Sequence, residues 1–225
     1  MSNVIVKTSN LTKIFGKKHT KVEAVKNVSM TIYKGEVVVI LGPSGSGKTT
    51  LLSMLGCILT PTKGKILLNG RDITELSETE KMIERRDNIG FVFQSFNLLK
   101  DLTVSENVEV ALNLKGITGR EAKEQATNIL KEVGLGERIN FYPAELSGGE
   151  KQRVSIARAI VKNPRIILAD EPTGNLDSKT GRIIVELLQE VAKKNDASLI
   201  IVTHDNRIED IVDKKFYLED GKILS

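Results

Sequence analysis

The stretch Gly42-Pro43-Ser44-Gly45-Ser46-Gly47-Lys48-Thr49 constrains the fold more than any other part of the chain. It follows the apolar, β-branched run Val37–Leu41 and leads into a helix that begins near Lys48. A strand, a Gly-rich loop and a helix in that order make a phosphate cradle. The glycines let the backbone curl so that its N–H groups point inward, and the helix N-terminus adds a positive dipole. Gly42, Pro43, Ser44, Gly45, Ser46, Gly47, Lys48, Thr49 and the following Thr50 are therefore candidate nucleotide contacts. Lys48 is placed to reach the β- and γ-phosphates, and the Thr49 hydroxyl to coordinate Mg²⁺. The plain alternative, a Gly-rich turn beside a solvated Lys, carries little weight once the whole pattern stands in its strand–loop–helix context.

The rest of the chain keeps a matching rhythm. Apolar runs recur at Val37–Leu41, Ile66–Leu68, Ile89–Phe93, Ile166–Ala169 and Leu199–Val202, bounded by Gly, Pro or Asp as buried strands are. Helical patterns alternate with the later runs. Ala122, Ala126, Ile129, Leu130 and Val133 share one helical face, which Gly134 stops. Thr180, Ile184, Leu187, Leu188 and Val191 share another, with Asp177 or Ser178 as N-cap. Ser147 to Val161 reads as a helix that stops before Pro164. The fold predicted is α/β, a P-loop core with a mostly parallel sheet. Residues up to about 35 depart from this, with alternating segments Val4–Asn10 and Val25–Tyr33 that suggest an antiparallel N-terminal β subdomain. Residues from about 95 to 160 are helical without strong strands and suggest an inserted helical subdomain. The expectation is one domain over 1–225, with 1–94 and 161–225 as the core and 95–160 as the insertion. The end turns as a hairpin at Asp220-Gly221.

Composition narrows the class. A chain of 225 residues buries a sizeable core without disulfide or metal. The net charge of +4 is spread along the chain, and the densest run, Lys17 to Lys21, reads as a solvated loop rather than a nucleic-acid patch. Cys57, the only cysteine, reads as a small buried apolar residue on a helix and fits a reducing compartment. Met1 to Lys7 lacks the apolar core of a signal peptide, and no apolar run approaches the ~20 residues of a membrane helix. The chain is expected to be cytoplasmic; a role at a membrane would need another chain to span it.

Four further places carry chemistry. Asp170 and Glu171 end the strand Ile166–Ala169, where open α/β sheets place ligands. Asp170 would hold Mg²⁺, and Glu171 would polarise the attacking water. His204 follows the run Leu199–Thr203 at another strand end and points to a γ-phosphate contact. Gln94 closes Ile89–Phe93 in the same way, as a contact to Mg²⁺ or water or as a plain surface residue. Leu146-Ser147-Gly148-Gly149 opens a predicted helix, either as a simple cap or as a second anion site made of a free Ser147 hydroxyl and the Gly148 and Gly149 amides. One nucleotide has one γ-phosphate, so two such helix ends meet on it only if two copies pack head to tail.

In this order the motifs resemble those of the ATP-binding cassette ATPases of ABC transporters, along essentially the whole chain. Gly42 to Thr49 resembles the family's Walker A, Ile166 to Asp170 its Walker B, and Glu171 its catalytic acid. Gln94 resembles the Q-loop, His204 the switch histidine, Leu146 to Gly149 the family signature and Asn175-Leu176-Asp177 the loop that crosses between subunits. Phe15 stands where the family places a Tyr that stacks on adenine, and either stacks or packs into the edge sheet. Glu150 stands where Gln is commoner; the resemblance puts the phosphate contacts on Ser147 and the glycine amides, so little effect is expected of it. Asp170 to Asp177 and Phe93 to Leu99 are similar to the lipoprotein-release and macrolide-efflux group. The resemblance implies ATP and Mg²⁺ as ligands, an ATP-sandwich homodimer, no nucleic acid, and a separate membrane permease that holds the chain at the inner face of the membrane. It implies export of a lipoprotein, peptide or drug; a mechanotransmitter controlling a cell-wall enzyme, or a soluble ATPase of iron–sulfur assembly, are the alternatives. Phe96, Leu98 and Leu99 either receive a helix of the membrane partner or pack within the chain.

Overall fold

The structure is a computed structural model that describes residues 3–17 and 20–224. Lys18 and His19 of the basic run, and Met1 and Ser2 of the leader reading, lie outside the described residues. The chain begins with β1 (Val4–Phe15), β2 (Val22–Tyr33), β3 (Val37–Leu41), α1 (Lys48–Leu55), β4 (Lys63–Leu68) and β5 (Arg71–Asp72). It continues with α2 (Glu78–Asn88), β6 (Ile89–Phe93), α3 (Val104–Asn113), α4 (Gly119–Glu132) and α5 (Gly148–Ile160). It ends with β7 (Ile166–Asp170), α6 (Ser178–Lys194), β8 (Ser198–Thr203), β9 (Lys214–Glu219) and β10 (Lys222–Leu224). Residues 86–197 form one compact unit, and the two ends of the chain form another.

The unit made of the ends holds two sheets. In one, β2, β1, β4 and β5 lie side by side, every pair antiparallel. β1 and β2 run longer than the alternation suggested because bulges interrupt it. Near Asn10 and Asn27, both with positive φ, the register slips and the inside–outside pattern restarts. The run Ile66–Leu68 belongs here, in β4, and not to the parallel sheet. Only Ile66 and Leu68 are buried, as in a strand with one wet face. In the other sheet β3 lies between β8 and β9, parallel to both, and β10 returns antiparallel to β9. Every residue of β3 and of β8 is buried, which is why both read as unbroken apolar runs. The β9–β10 turn has positive φ at Asp220 and Gly221, the geometry that matches strand twist.

Helix α1 ends in a left-handed turn. Cys57 N donates to Met54 O (3.2 Å) and Ile58 N to Ser53 O (2.9 Å), with Cys57 at φ 57 in the position glycine usually takes. Cys57 is buried as expected but lies just past the helix rather than on it. Burial pushes its thiol up to about 11, so it is inert at neutral pH.

In the middle unit β6 and β7 pair in parallel, from Ile89 opposite Ile166 to Phe93 opposite Asp170. Helix α5 packs on β6 so closely that a Cβ on Gly90 would stand 2.7 Å from Ala159 O. It also touches α3, α4 and α6. Helix α4 buries Ala122, Ala126 and Leu130 and stops at Gly134, φ 76. Helix α6 is capped by Asp177 and buries Ile184, Leu188 and Val191, with Val185 rather than Leu187 completing the stripe. Each such aliphatic side chain contributes roughly 1.5–3 kcal/mol when removed from water.

Candidate functional site

In the unit made of the chain ends, β3 delivers the Gly42–Thr49 loop. Lys48 is only 5% exposed. Its Nζ donates to Gly42 O (2.8 Å) and Pro43 O (2.9 Å), so the ammonium spans the mouth of the loop. The N-terminus of α1 has Gly47 as N-cap, no side-chain cap and no acid in its first turn. With no acid competing there, the helix dipole favours an anion at that end. The loop's shape admits no substitute for two of its glycines. A Cβ on Gly47, φ 103, would stand 2.2 Å from Ala24 O, and one on Gly42 would stand 2.0 Å from Leu218 O. Ser46 Oγ is buried in the same loop without a hydrogen-bond partner. A tight backbone cradle, an open helix end, a lysine across its mouth and an unused hydroxyl fit a nucleotide's phosphates.

Two other candidates belong to this unit. Leu41 and Thr203 are partners in the parallel β3–β8 ladder, so Gly42 and the exposed His204 leave the sheet side by side at its carboxyl edge. Phe15 closes β1 and is 40% exposed, with Lys13 Nζ over its ring, 5.2 Å from the centroid. Thr49 is exposed and Thr50 half-buried on the first turn of α1.

In the middle unit the β6–β7 ladder puts Phe93 opposite Asp170, so Gln94 and Glu171 also leave neighbouring strand ends together. The segment after β7 grips Gln94. Asn175 Nδ2 donates to Gln94 O (2.8 Å), and a Cβ on Gly174 would stand 2.6 Å from Gln94 Nε2. Asp170 and Glu171 are half-buried. Glu171 sits at φ 45, a left-handed conformation that a glutamate adopts only under constraint from its surroundings. Asp177 caps α6, accepting from Lys179 N and Thr180 N at 3.0 Å each. Its bonds to Thr180, side chain first, hold its carboxyl below the usual range.

The opening of α5 takes the capped form of the two expected. Ser147 is the N-cap, but its hydroxyl is not free. Ser147 Oγ donates to Glu150 Oε2 (2.7 Å), Ser147 N donates to the same oxygen (2.9 Å), and Glu150 N donates back to Ser147 Oγ (3.3 Å). This is a reciprocal capping box. Glu150 Oε1 lies 3.3 Å from Arg138 Nε, whose guanidinium stands over the Phe141 ring. The bonds to Ser147, and then Arg138, hold the Glu150 carboxyl below its usual range.

Three residues absent from the sequence reading shape this unit. Gln152, buried in α5, donates from Nε2 to Pro172 O (2.9 Å), beside Glu171. Arg158, further along α5, donates to Phe96 O and Asn97 O, both at 2.7 Å, just after Gln94. Phe96 and Asn97 are both left-handed, at φ 61 and 50. Fully buried Asn107 donates to Leu99 O, Leu102 O and Thr103 O and accepts from Leu99 N. The one sequence signal was polarity on buried helix faces; the carbonyls these side chains serve are distant in sequence.

A P-loop with strand-end acids and a second Gly-rich helix opening in the same chain defines a nucleotide-hydrolysing cassette. Residues 25–174 match the profile of the ABC transporter family, and the chain belongs to that family. It is 49% identical to the ABC transporter ATP-binding protein YtrE of Bacillus subtilis, over 92% of this chain and 90% of that one. It is 43% identical to the lipoprotein-releasing system ATP-binding protein LolD of Legionella pneumophila, over 100% of this chain and 99% of that one. Among solved structures, the cassette MJ0796 of Methanocaldococcus jannaschii, a dimer in a post-hydrolysis state bound to ADP and Pi, superposes with a TM-score of 0.90. It is 42% identical and covers 98% of this chain and 97% of its own. The chain therefore binds and hydrolyses ATP as the ATP-binding subunit of an ABC transporter.

Proposed function

We propose that two copies of this chain pack head to tail on two ATP molecules, beneath a separate membrane subunit that exports or extracts a lipoprotein, peptide or drug. The observation that carries this reading is the full-length similarity to a cassette solved as a dimer with ADP and Pi. The similarity to the lipoprotein-releasing ATP-binding protein of Legionella supports a lipoprotein cargo. Among the described residues no helix is long and apolar enough to cross a membrane, in keeping with a peripheral subunit at the inner face that borrows its partner's span.

In this reading the Gly42–Thr49 amides and Lys48 hold the phosphates, Phe15 stacks on the base, and Ser147, Gly148 and Gly149 meet the γ-phosphate bound by the other copy. Asp177 lies in the segment that crosses between copies. Glu171 orients the water and takes its proton, while Lys48 and His204 neutralise the charge that builds on the γ-phosphate. Thr49, Gln94 and Asp170 would hold Mg²⁺, which supplies charge neutralisation when bound. Among the described residues no three His, Cys, Asp or Glu side chains cluster, which suits an ion held largely by phosphate and water.

The membrane partner would dock after β6. A cavity of about 290 Å³ opens there, lined by Phe91, Phe93, Asn97, Ala111, Arg158 and Lys162. Leu99 is 48% exposed on the same segment. In the test, Glu171→Gln forms a stable dimer with ATP and Mg²⁺ on sizing chromatography and turns over slowly, and Ser147→Arg binds ATP but does not hydrolyse it. A monomer with ATP and unchanged turnover in Glu171→Gln sinks the composite site.

A further inference from the structure

We infer that Glu150 is a charge latch on the Ser147 end of α5, and that Arg138 is the post to which the latch swings when a second copy brings its nucleotide. The inference rests on the head-to-tail pairing proposed above and adds to it a residue that sets how readily the pair forms.

Every donor that Ser147 would offer a phosphate is already committed. Glu150 Oε2 receives both the hydroxyl (2.7 Å) and the backbone amide (2.9 Å) of Ser147. A carboxylate in that place is favoured by the helix dipole for the same reason a phosphate would be. The two anions compete for one helix end, and like charges at that range repel. Glu150 must therefore let go before Ser147 can serve an incoming γ-phosphate.

The structure provides where it goes. Glu150 Oε1 already lies 3.3 Å from Arg138 Nε, so a side-chain rotation exchanges the Ser147 donors for the guanidinium without leaving the carboxylate unpaired. The Arg138 backbone is pinned by its N–H to Leu135 O (2.9 Å) and by its carbonyl, which accepts from Phe141 N (2.9 Å), and its guanidinium lies 4.6 Å from the Phe141 centroid. The post is held at its backbone and over a ring, and the latch needs only a change of rotamer to reach it. A glutamine here would keep the capping box, since Gln serves that motif as Glu does, but would carry no charge to repel the phosphate.

The test uses the full chain in the Glu171→Gln background, where ATP-bound pairs accumulate. Dimer dissociation constants are measured by sedimentation with ATP and Mg²⁺ at about 50 and about 200 mM salt. Adding Glu150→Gln is expected to tighten the dimer about tenfold and flatten its salt dependence, with thermal unfolding within a few degrees of the parent. Adding Arg138→Gln is expected to loosen it about fivefold, and that loosening is expected to vanish once Glu150→Gln is also present. A purely structural cap would shift unfolding without this coupling. If Glu171→Gln pairs with ATP but Glu150→Gln leaves the affinity unchanged or weaker, the latch is wrong and the pairing stands. If Arg138→Gln loosens the dimer equally in both backgrounds, Arg138 is not its post. If Glu171→Gln does not pair with ATP at all, the pairing fails and the latch with it.

Discussion

Helices α1 and α5 both open on Gly-rich segments, and their openings are built in opposite ways. At α1 the cap is a left-handed glycine with no side chain, and no acid follows in the first turn, so no side chain of its own closes that end. At α5 the cap is a serine closed by its own glutamate, so the Ser147 amide and hydroxyl are engaged before any ligand arrives. An open end binds whatever anion fits its cradle. A closed end binds only an anion that can displace the cap, so it acts conditionally. In the proposed head-to-tail pair this contrast would divide the work, with nucleotide held at the α1 end and met by the α5 end of the other copy.

The contrast is broken most severely at Gly47. An alanine there would hold φ 103 against its preference and drive its Cβ into Ala24 O. Gly47→Ala is expected to cost more than about 2 kcal/mol of stability and to lower ATP affinity by about 100-fold or more, read by thermal unfolding and nucleotide titration. Gly149→Ala at the other helix meets only Thr180 Cγ2, at 2.8 Å, the end of a side chain that can rotate. It should keep both fold and ATP binding in the monomer. Equal losses at the two glycines would erase the distinction between an open and a closed end.

The helices also differ along their length. α1 finishes in a turn that closes on itself, whereas α5 reaches out through Arg158 to hold Phe96 and Asn97 in their left-handed conformations, beside Gln94. Arg158→Lys keeps the charge and loses the fork that serves two carbonyls at once. About a tenfold fall in kcat with KM for ATP little changed is expected, since the segment carrying Gln94 loosens while the α1 cradle is untouched. Steady-state ATPase kinetics separate the two parameters; a rise in KM alone would disconnect α5 from Gln94.

What the sequence made legible divides along the same line. The α1 end was readable because its apolar strand, its glycines and its lysine are consecutive in the chain. The β9–β10 turn was readable for the same reason, since Asp220-Gly221 states its own geometry. Ile66–Leu68 is legible as a strand but not by sheet, because a short apolar run does not say whether its neighbour is parallel. α2 has no apolar stripe: it buries Lys81 and Glu84 against Thr60, Glu78 and Arg71, so hydrophobic periodicity passes over it. At α5 the Ser-x-x-Glu spacing was in plain view, yet spacing does not say whether a serine at a helix end serves its own helix or a ligand. Asn107, Gln152 and Arg158 act on carbonyls whose positions only the folded chain defines.

The smallest expected effect is also the most direct measure of the closed end. The Glu150 carboxyl is held below its ordinary value by Ser147 and Arg138, so the folded chain binds that proton less readily than the unfolded chain does. The stabilisation is therefore fully present above the unfolded value of about 4.3 and is lost as pH falls through the lower folded value. Glu150→Gln has no such proton to take up, and the α1 end has no first-turn carboxylate to titrate. Between about pH 7 and 5 the unfolding temperatures of the parent and Glu150→Gln should run parallel; below about pH 4 the parent should fall toward or beneath the variant. Curves that stay parallel to about pH 3 would mean that the Glu150 charge contributes nothing to closing α5, and that the capping box works through hydrogen bonding alone.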